Sequence, residues 1–140
     1  MRYAQIIETV TNPFPIPATP ENIAKAKAFV FQKWQERAAE RGYTVDDLSG
    51  ACKFSSLFAQ TVFGGKIQGN YDHQYVVLDD GHIIDLNDDA GDVRKLSNPH
   101  RHDKRFWNNK DHRESMDGCR PRVEAWLSEF EREIPKTAGS

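Results

Sequence analysis

The hydrophobic pattern of this 140-residue chain changes period once, and that change constrains the fold more than any other feature. Before Gly64 and Gly65, apolar residues recur every three or four positions, as they do on one face of an α-helix. After these glycines, across residues 71–86, apolar and polar residues alternate, which is typical of strands with one buried face. Helices followed by paired strands predict an α+β fold.

Helices are predicted on both sides of the strands. The first spans residues 20–41 with Thr19 as its N-cap, and the second begins after Ser49 and ends at the two glycines. Residues 88–118 are polar, and we expect irregular structure there with one or two helical turns. Pro121 is predicted to open a C-terminal helix whose apolar residues pack on the core: Val123, Trp126, Leu127, Phe130 and Ile134.

The turn between the strands decides which side chains share a face of the sheet. A three-residue loop at residues 79–81, with a left-handed glycine in a bulge, pairs Val77 with Ile83 and puts Asp85 diagonally across from His73 on one face. A two-residue turn would shift the register by one position and send Asp85 to the opposite face. We predict the bulged turn, which brings His73 and Asp85 within reach of each other.

Composition bounds the class of protein and its partners. The length fits one domain, residues 1–140, and a net charge of −2 gives no overall field to attract nucleic acid or anionic lipid. Two cysteines are too few for a disulfide scaffold, so a reducing compartment is expected. The first eight residues lack the apolar run of a signal peptide, and no run is long enough to cross a membrane. We therefore expect a cytoplasmic protein with no membrane partner, and export as an effector without a cleaved signal stays open.

Cys52 lies where a thiol can be activated. Its predicted place in the first turn of a helix puts it near the positive end of the helix dipole, and a neighbouring imidazolium would also favour the thiolate. The amides of that turn would point toward an oxyanion on an attacked carbonyl. His73 is the predicted base and Asp85 the group that orients it. Taken singly, each residue also has a structural explanation, as a small core cysteine, a buried strand histidine and a strand-ending aspartate.

Two segments that carry these residues resemble a known family. Residues 48–58, with a Gly-x-Cys helix start, and residues 72–87, with His-x-Tyr and Ile-Asp-Leu strands, resemble the core of transglutaminase-like and papain-like cysteine hydrolases. The resemblance covers about a quarter of the chain. It implies a papain-like core of N-terminal helices packed on a small antiparallel sheet with a C-terminal helix. It also implies Cys52 as nucleophile, His73 as base and Asp85 as the third member.

The sequence departs from that family at the oxyanion site. Papain-like enzymes place an amide side chain ahead of the cysteine, whereas residues 43–51 contain neither Gln nor Asn. Gln68, Asn70 and Tyr71 are the candidates for this role, with the backbone amides as an alternative. Asn87 is an alternative orienter of the histidine.

The predicted function is acyl transfer from an amide or ester carbonyl of a protein or peptide, as a peptidase, an amidase or a transglutaminase-like enzyme. No metal or organic cofactor is needed for it. The alternative is a non-catalytic binding module on the same scaffold that contacts protein or nucleic acid through the basic residues 100–113. Oligomeric state cannot be read from the sequence.

Three further sets of residues are alternatives to this site. Cys119 is a rival nucleophile without a strand histidine after it, and His82 is a rival base on the face opposite Asp85. Polar residues that could ligate a metal occur later in the chain, but their spacing is only a weak signal and no cysteine pair accompanies them. They are His100, His102, Asp103, Asp111 and His112.

Overall fold

The computed structural model describes residues 13–134, and within this range five helices and three strands form an α+β fold, as predicted. The residues on which the signal-peptide expectation rests lie outside it. No helix in the described range has both the length and the apolarity to cross a membrane. In chain order the elements are α1 (Pro20–Glu40), α2 (Cys52–Phe63), β1 (Lys66–Gly69), β2 (Gln74–Val77), β3 (Ile83–Ile84), α3 (Gly91–Arg94), α4 (Lys104–Trp107) and α5 (Lys110–Glu133).

The three strands form one antiparallel sheet in the order β1-β2-β3. Val77 pairs with Ile83 across β2 and β3, and Gly81 has a left-handed φ of 91° in the loop between them. The bulged-turn register is therefore confirmed. Strand β1 was not predicted, because its four residues between Gly65 and Asn70 are too few to show alternation.

The start of α2 corrects one prediction and confirms another. Ser49 does not cap this helix, whose N-cap is Ala51 and whose first residue is Cys52. The Ser49 hydroxyl instead accepts a hydrogen bond from the amide of Asp92 at 3.1 Å. The prediction of Ser49 as the cap was wrong because a distant loop takes its side chain. Cys52 does lie in the first turn, as expected.

The C-terminal helix starts earlier than predicted. It begins at Lys110, where the Asn109 side chain accepts from the amide of His112 at 2.9 Å, and Pro121 lies inside the helix. A proline in a helix removes the hydrogen bond to the carbonyl four residues earlier, here that of Asp117. Asp117 and Pro121 are both exposed, so water can satisfy that carbonyl. The prediction that Pro121 opens the helix was therefore wrong, as was irregular structure for residues 110–118, whereas α3 and α4 confirm the predicted helical turns before them.

Helix α2 lies at the centre of the fold and fixes the position of Cys52. Its Phe58 has no exposed surface and packs against Phe29 and Phe130, with ring centroids 5.7 and 5.2 Å away. Helices α1 and α5 and strands β1 and β2 pack against α2, so its N-terminus cannot shift without disturbing the core.

Strand β1 ends where the backbone approaches the turn before His73 very closely. Gly69 has a φ of 144°, and a β-carbon at this position would overlap the carbonyl oxygen of His73. Gly81 also has a positive φ, but a β-carbon there would meet nothing within 4 Å. Of these two glycines, Gly69 has a steric requirement as well as a conformational one, whereas Gly81 has the conformational one alone.

Alanine substitution at the two glycines separates these requirements. We expect Gly81→Ala to cost about 1–2 kcal/mol of unfolding free energy, because only its backbone conformation is unfavourable. Gly69→Ala should cost at least about 2 kcal/mol more, because the new methyl group displaces the His73 carbonyl. Urea unfolding of both variants measures the difference, and equal losses would contradict the close approach at Gly69.

Candidate active site

The loop before Cys52 is clasped to the segment that follows β3. The amide of Gly50 donates to Asp92 Oδ2 at 2.8 Å, and the Asn87 side chain donates to the carbonyl of Leu48 at 2.9 Å. No side chain of the described residues caps the first turn of α2, so its leading amides keep their hydrogen-bonding capacity. The clasp holds Cys52 beside the end of β3, where Asp85 lies.

His73 is set in place by the turn that connects β1 to β2. The Asn70 side-chain oxygen accepts from the backbone amides of Asp72 and His73 at 2.9 and 3.2 Å. The backbone amide of Asn70 donates to the His73 carbonyl at 3.0 Å. The His73 side chain has no exposed surface. Its ring therefore has a fixed position directly before β2 begins.

Asp85 meets His73 as the hairpin register predicts. Its Oδ2 accepts from His73 Nε2 at 2.6 Å, and its Oδ1 accepts from the Asn87 amide at 3.0 Å. The Asp85 side chain is only 5 % exposed. Because Nε2 is engaged by Asp85, Nδ1 is the ring nitrogen that remains, and it has no hydrogen-bond partner among residues 13–134.

The electrostatics of the pair favour an imidazolium beside a carboxylate. Burial alone would lower the pKa of His73, but hydrogen bonding to Asp85 and interaction with Cys52 outweigh it and raise the pKa to about 9. Burial likewise works to raise the pKa of Asp85, while its contacts with His73, His100 and the Asn87 amide hold it below its usual range. The carboxylate is therefore ionised and acts as the acceptor.

The Cys52 thiol has two polar neighbours. Its Sγ donates to Gln74 Oε1 at 2.9 Å, and its interaction with His73 contributes to the raised pKa of the imidazole. The Gln74 amide is buried, and its nitrogen donates to the carbonyl of Asn70 at 2.7 Å. The thiol is thus held between a neutral amide oxygen and a basic ring.

Sequence reasoning missed Gln74 for an identifiable reason. Strand alternation puts His73 and Gln74 on opposite faces, so only one of them could reach the thiol. In the structure β2 begins at Gln74, and His73 lies in the preceding turn, where alternation does not apply.

Of the three side chains proposed for the oxyanion site, those of Asn70 and Tyr71 are engaged elsewhere. Gln68 lies on β1 opposite Tyr75, the Asn70 side chain donates to the carbonyl of Arg101 at 2.7 Å, and Tyr71 is 58 % exposed with its ring against Phe106. The alternative orienter, Asn87, acts on Asp85 through its backbone amide while its side chain holds the loop before Cys52. The backbone amides at the start of α2, the alternative that the sequence left open, remain as candidate donors.

His100 joins the site from the loop that follows α3. Its Nε2 donates to Asp85 Oδ2 at 2.8 Å, the same oxygen that His73 contacts. The Tyr75 hydroxyl donates to the His100 carbonyl, and the two rings meet edge to face with centroids 4.8 Å apart. The sequence indicated His100 only as a weak metal-ligand candidate, since nothing in a polar loop specifies which strand it returns to.

Among residues 13–134, no hydrogen bond joins the rival residues His82 and Cys119 to this cluster. His82 is largely exposed and pairs with Asp80 at 2.9 Å. Cys119 is half-buried, and burial raises the pKa of its thiol. In the basic segment, Arg101 and Arg105 both lie within ion-pair distance of Asp103.

The raised pKa of His73 predicts how stability depends on pH. The folded protein binds this proton more tightly than the unfolded chain, so the contribution is complete below about pH 6.5 and is lost as the pH rises through about 9. We expect the unfolding free energy in metal-free buffer to fall over that interval, and His73→Gln to lack this part of the decline. Urea unfolding at a series of pH values measures both slopes, and parallel slopes would contradict the assignment.

Comparison with known proteins identifies no family for this chain. No protein-family model, no curated protein and no solved structure matches the chain. The likeness of residues 48–87 to papain-like enzymes stays a resemblance, and the chemistry of Cys52, His73 and Asp85 is judged from their own contacts.

Proposed function

We propose that this protein is a cysteine-nucleophile acyl-transfer enzyme with a papain-like core, acting on amide or ester carbonyls of proteins or peptides. The observation that carries the proposal is the 2.6 Å contact of His73 Nε2 with the buried Asp85. It fixes the ring so that Nδ1 is left to exchange a proton with Cys52, the interacting thiol at the head of α2. The nucleophile Cys52, the base His73 and the orienting Asp85 thereby form the series of contacts that a catalytic triad needs.

Formation of the acyl-enzyme follows from these positions. The Cys52 proton resides on His73 Nδ1 in a thiolate–imidazolium pair, and the thiolate sulfur attacks the carbonyl carbon to form a C–S bond. The C–N or C–O bond to the leaving group then breaks, and His73 Nδ1 gives its proton to the departing nitrogen or oxygen. Asp85 keeps its negative charge throughout and stabilises the imidazolium.

Release of the acyl group uses the same residues. Water or an amine attacks the thioester, His73 takes the proton of the attacking group, and the proton returns to sulfur as the C–S bond breaks. Water gives a peptidase, amidase or esterase, and an amine gives a transglutaminase-like enzyme.

The first turn of α2 supplies the oxyanion donors in this mechanism. The Cys52 and Lys53 amides head the helix, and no side chain of the described residues caps them. Preorganised amides at a helix start stabilise a developing oxyanion, a contribution of about 3 kcal/mol per donor in known enzymes. The Gln74 nitrogen, bound to the Asn70 carbonyl, is not required.

The surface around the thiol favours a large substrate. Described residues form four surface clefts that neither Cys52 nor His73 lines. Small-molecule sites are concave and enclose most of their ligand. A part-buried nucleophile that lines none of these four clefts suits a protein or peptide segment that brings its own contact surface.

Alkylation kinetics test the activated thiol before any substrate is known. At about pH 6 we expect iodoacetamide to modify Cys52 at least about tenfold faster than Cys119, and His73→Gln to remove that advantage. Peptide mass spectrometry reads both cysteines in one sample, so Cys119 is an internal control. His82→Gln is the matched control, because it removes an exposed histidine outside the site.

Two results would sink the proposal. One is equal reactivity of Cys52 and Cys119 in the native protein, and the other is a Cys52 rate unaltered by His73→Gln. Either result would leave the non-catalytic binding module as the reading of this fold.

Acyl-enzyme trapping tests the chemistry itself. We expect peptide esters or thioesters to add an acyl group to Cys52, detected by intact mass and absent in Cys52→Ser. Asp85→Asn should slow acylation by about 10²- to 10⁴-fold, because the histidine loses its tautomer and its counter-charge. Addition of a primary amine separates the two outcomes, since only a transferase converts the acyl-enzyme to an amide in preference to the acid.

A further inference from the structure

Three potential metal ligands converge at the inner end of the proposed triad. One ligand atom each from His73, Asp85 and His100 lies within 4.8 Å of the other two. The Nε2 atoms of both histidines contact the same carboxylate oxygen, at 2.6 and 2.8 Å. Two imidazoles and one carboxylate form a donor set found in catalytic zinc sites and in non-haem iron sites.

We propose that these three residues bind a divalent transition-metal ion, with Zn²⁺ as the best-fitting probe. At metal–ligand distances of about 2.0–2.2 Å, tetrahedral ligand atoms are about 3.3–3.5 Å apart. The two histidine contacts of Asp85, at 2.6 and 2.8 Å, therefore open by about 0.5–0.9 Å when the ion enters. Water completes the coordination.

The surroundings hold the ligands in a suitable orientation. The Asn87 amide fixes Asp85 through the oxygen that does not face the histidines, and the Tyr75 hydroxyl anchors His100 through its carbonyl. Such supporting hydrogen bonds orient ligands in known metal sites. His73 is buried, whereas the His100 side chain is 35 % exposed, so the ion enters from the His100 side.

The bound ion also affects Cys52. This effect rests on the proposed function, whereas the metal site itself is independent of it. When Nε2 of His73 binds the metal, the ring proton stays on Nδ1, which faces away from the ion. Nδ1 then has no lone pair to accept the Cys52 proton, and Asp85 is withdrawn from the histidine. The metal site therefore acts as a reversible inhibitory site.

Zinc titration of the chelator-stripped full-length protein tests the site directly. Calorimetry should show one Zn²⁺ bound per chain in the wild type and in Cys52→Ser, because the thiol is not a ligand. His100→Ala should weaken binding at least about tenfold, since it removes one of three ligands. His82→Ala, which removes an exposed histidine outside the cluster, should leave the affinity unchanged.

Several outcomes would overturn the proposal. These are no binding at about 100 μM free Zn²⁺, equal affinity in the wild type and His100→Ala, or loss of binding in Cys52→Ser. Circular dichroism verifies that each variant is folded, and His100→Gln serves as the second variant if His100→Ala is not. Co²⁺ gives an independent readout, because a nitrogen and oxygen site lacks the sulfur-to-cobalt charge-transfer band that coordination by Cys52 would produce.

The inhibitory consequence is measured separately from binding. Zn²⁺ should slow acylation of Cys52 in the wild type and His82→Ala at concentrations that leave His100→Ala unaffected. Equal inhibition of all three proteins would refute the link between the metal site and the thiol. If no acylation is found with any protein, the proposed function fails, while the calorimetric result still decides the metal site.

Discussion

The carboxylate of Asp85 is the group on which the arrangement of the site depends. It is nearly buried, it is ionised, and it accepts from two imidazoles and one backbone amide. A buried charge is costly unless it is paired and hydrogen-bonded, so each of these contacts is needed to keep the carboxylate where it is. The same contacts fix the ring of His73 and thereby decide which of its nitrogens is left for Cys52. The stability of the fold and the proposed chemistry therefore depend on the same hydrogen bonds.

Much of this arrangement could be predicted from the sequence because it depends on local rules. The register of β2 and β3 followed from the glycine at residue 81, and the register alone brought Asp85 to His73. The first-turn position of Cys52 followed from helical periodicity, even though the predicted cap, Ser49, serves another segment. Short-range patterns were sufficient for two strands, two helices and three of the residues that meet.

The parts that could not be predicted depend on contacts between distant segments. His100 lies 15 residues after Asp85 in a polar loop, and no periodicity indicates that the loop returns to β2. Gln74 was missed because the alternating pattern includes His73, whereas the strand begins only at Gln74. The start of α5 was misplaced because proline is usually found in the first turn of a helix. Here the helix begins after its cap at Asn109, and Pro121 lies further along on its exposed side.

The turn at residues 79–81 gives loop length an unusual importance in this chain. Surface loops in general accept insertions and deletions with little effect on stability. Here the addition or removal of a single residue would exchange the two faces of β3 and carry Asp85 away from His73, even if the strands still paired. Residues 79 and 80 are both exposed, so a gene encoding this protein could accept substitutions there. An insertion or deletion of one codon, in contrast, would leave the fold in place and abolish the proposed function.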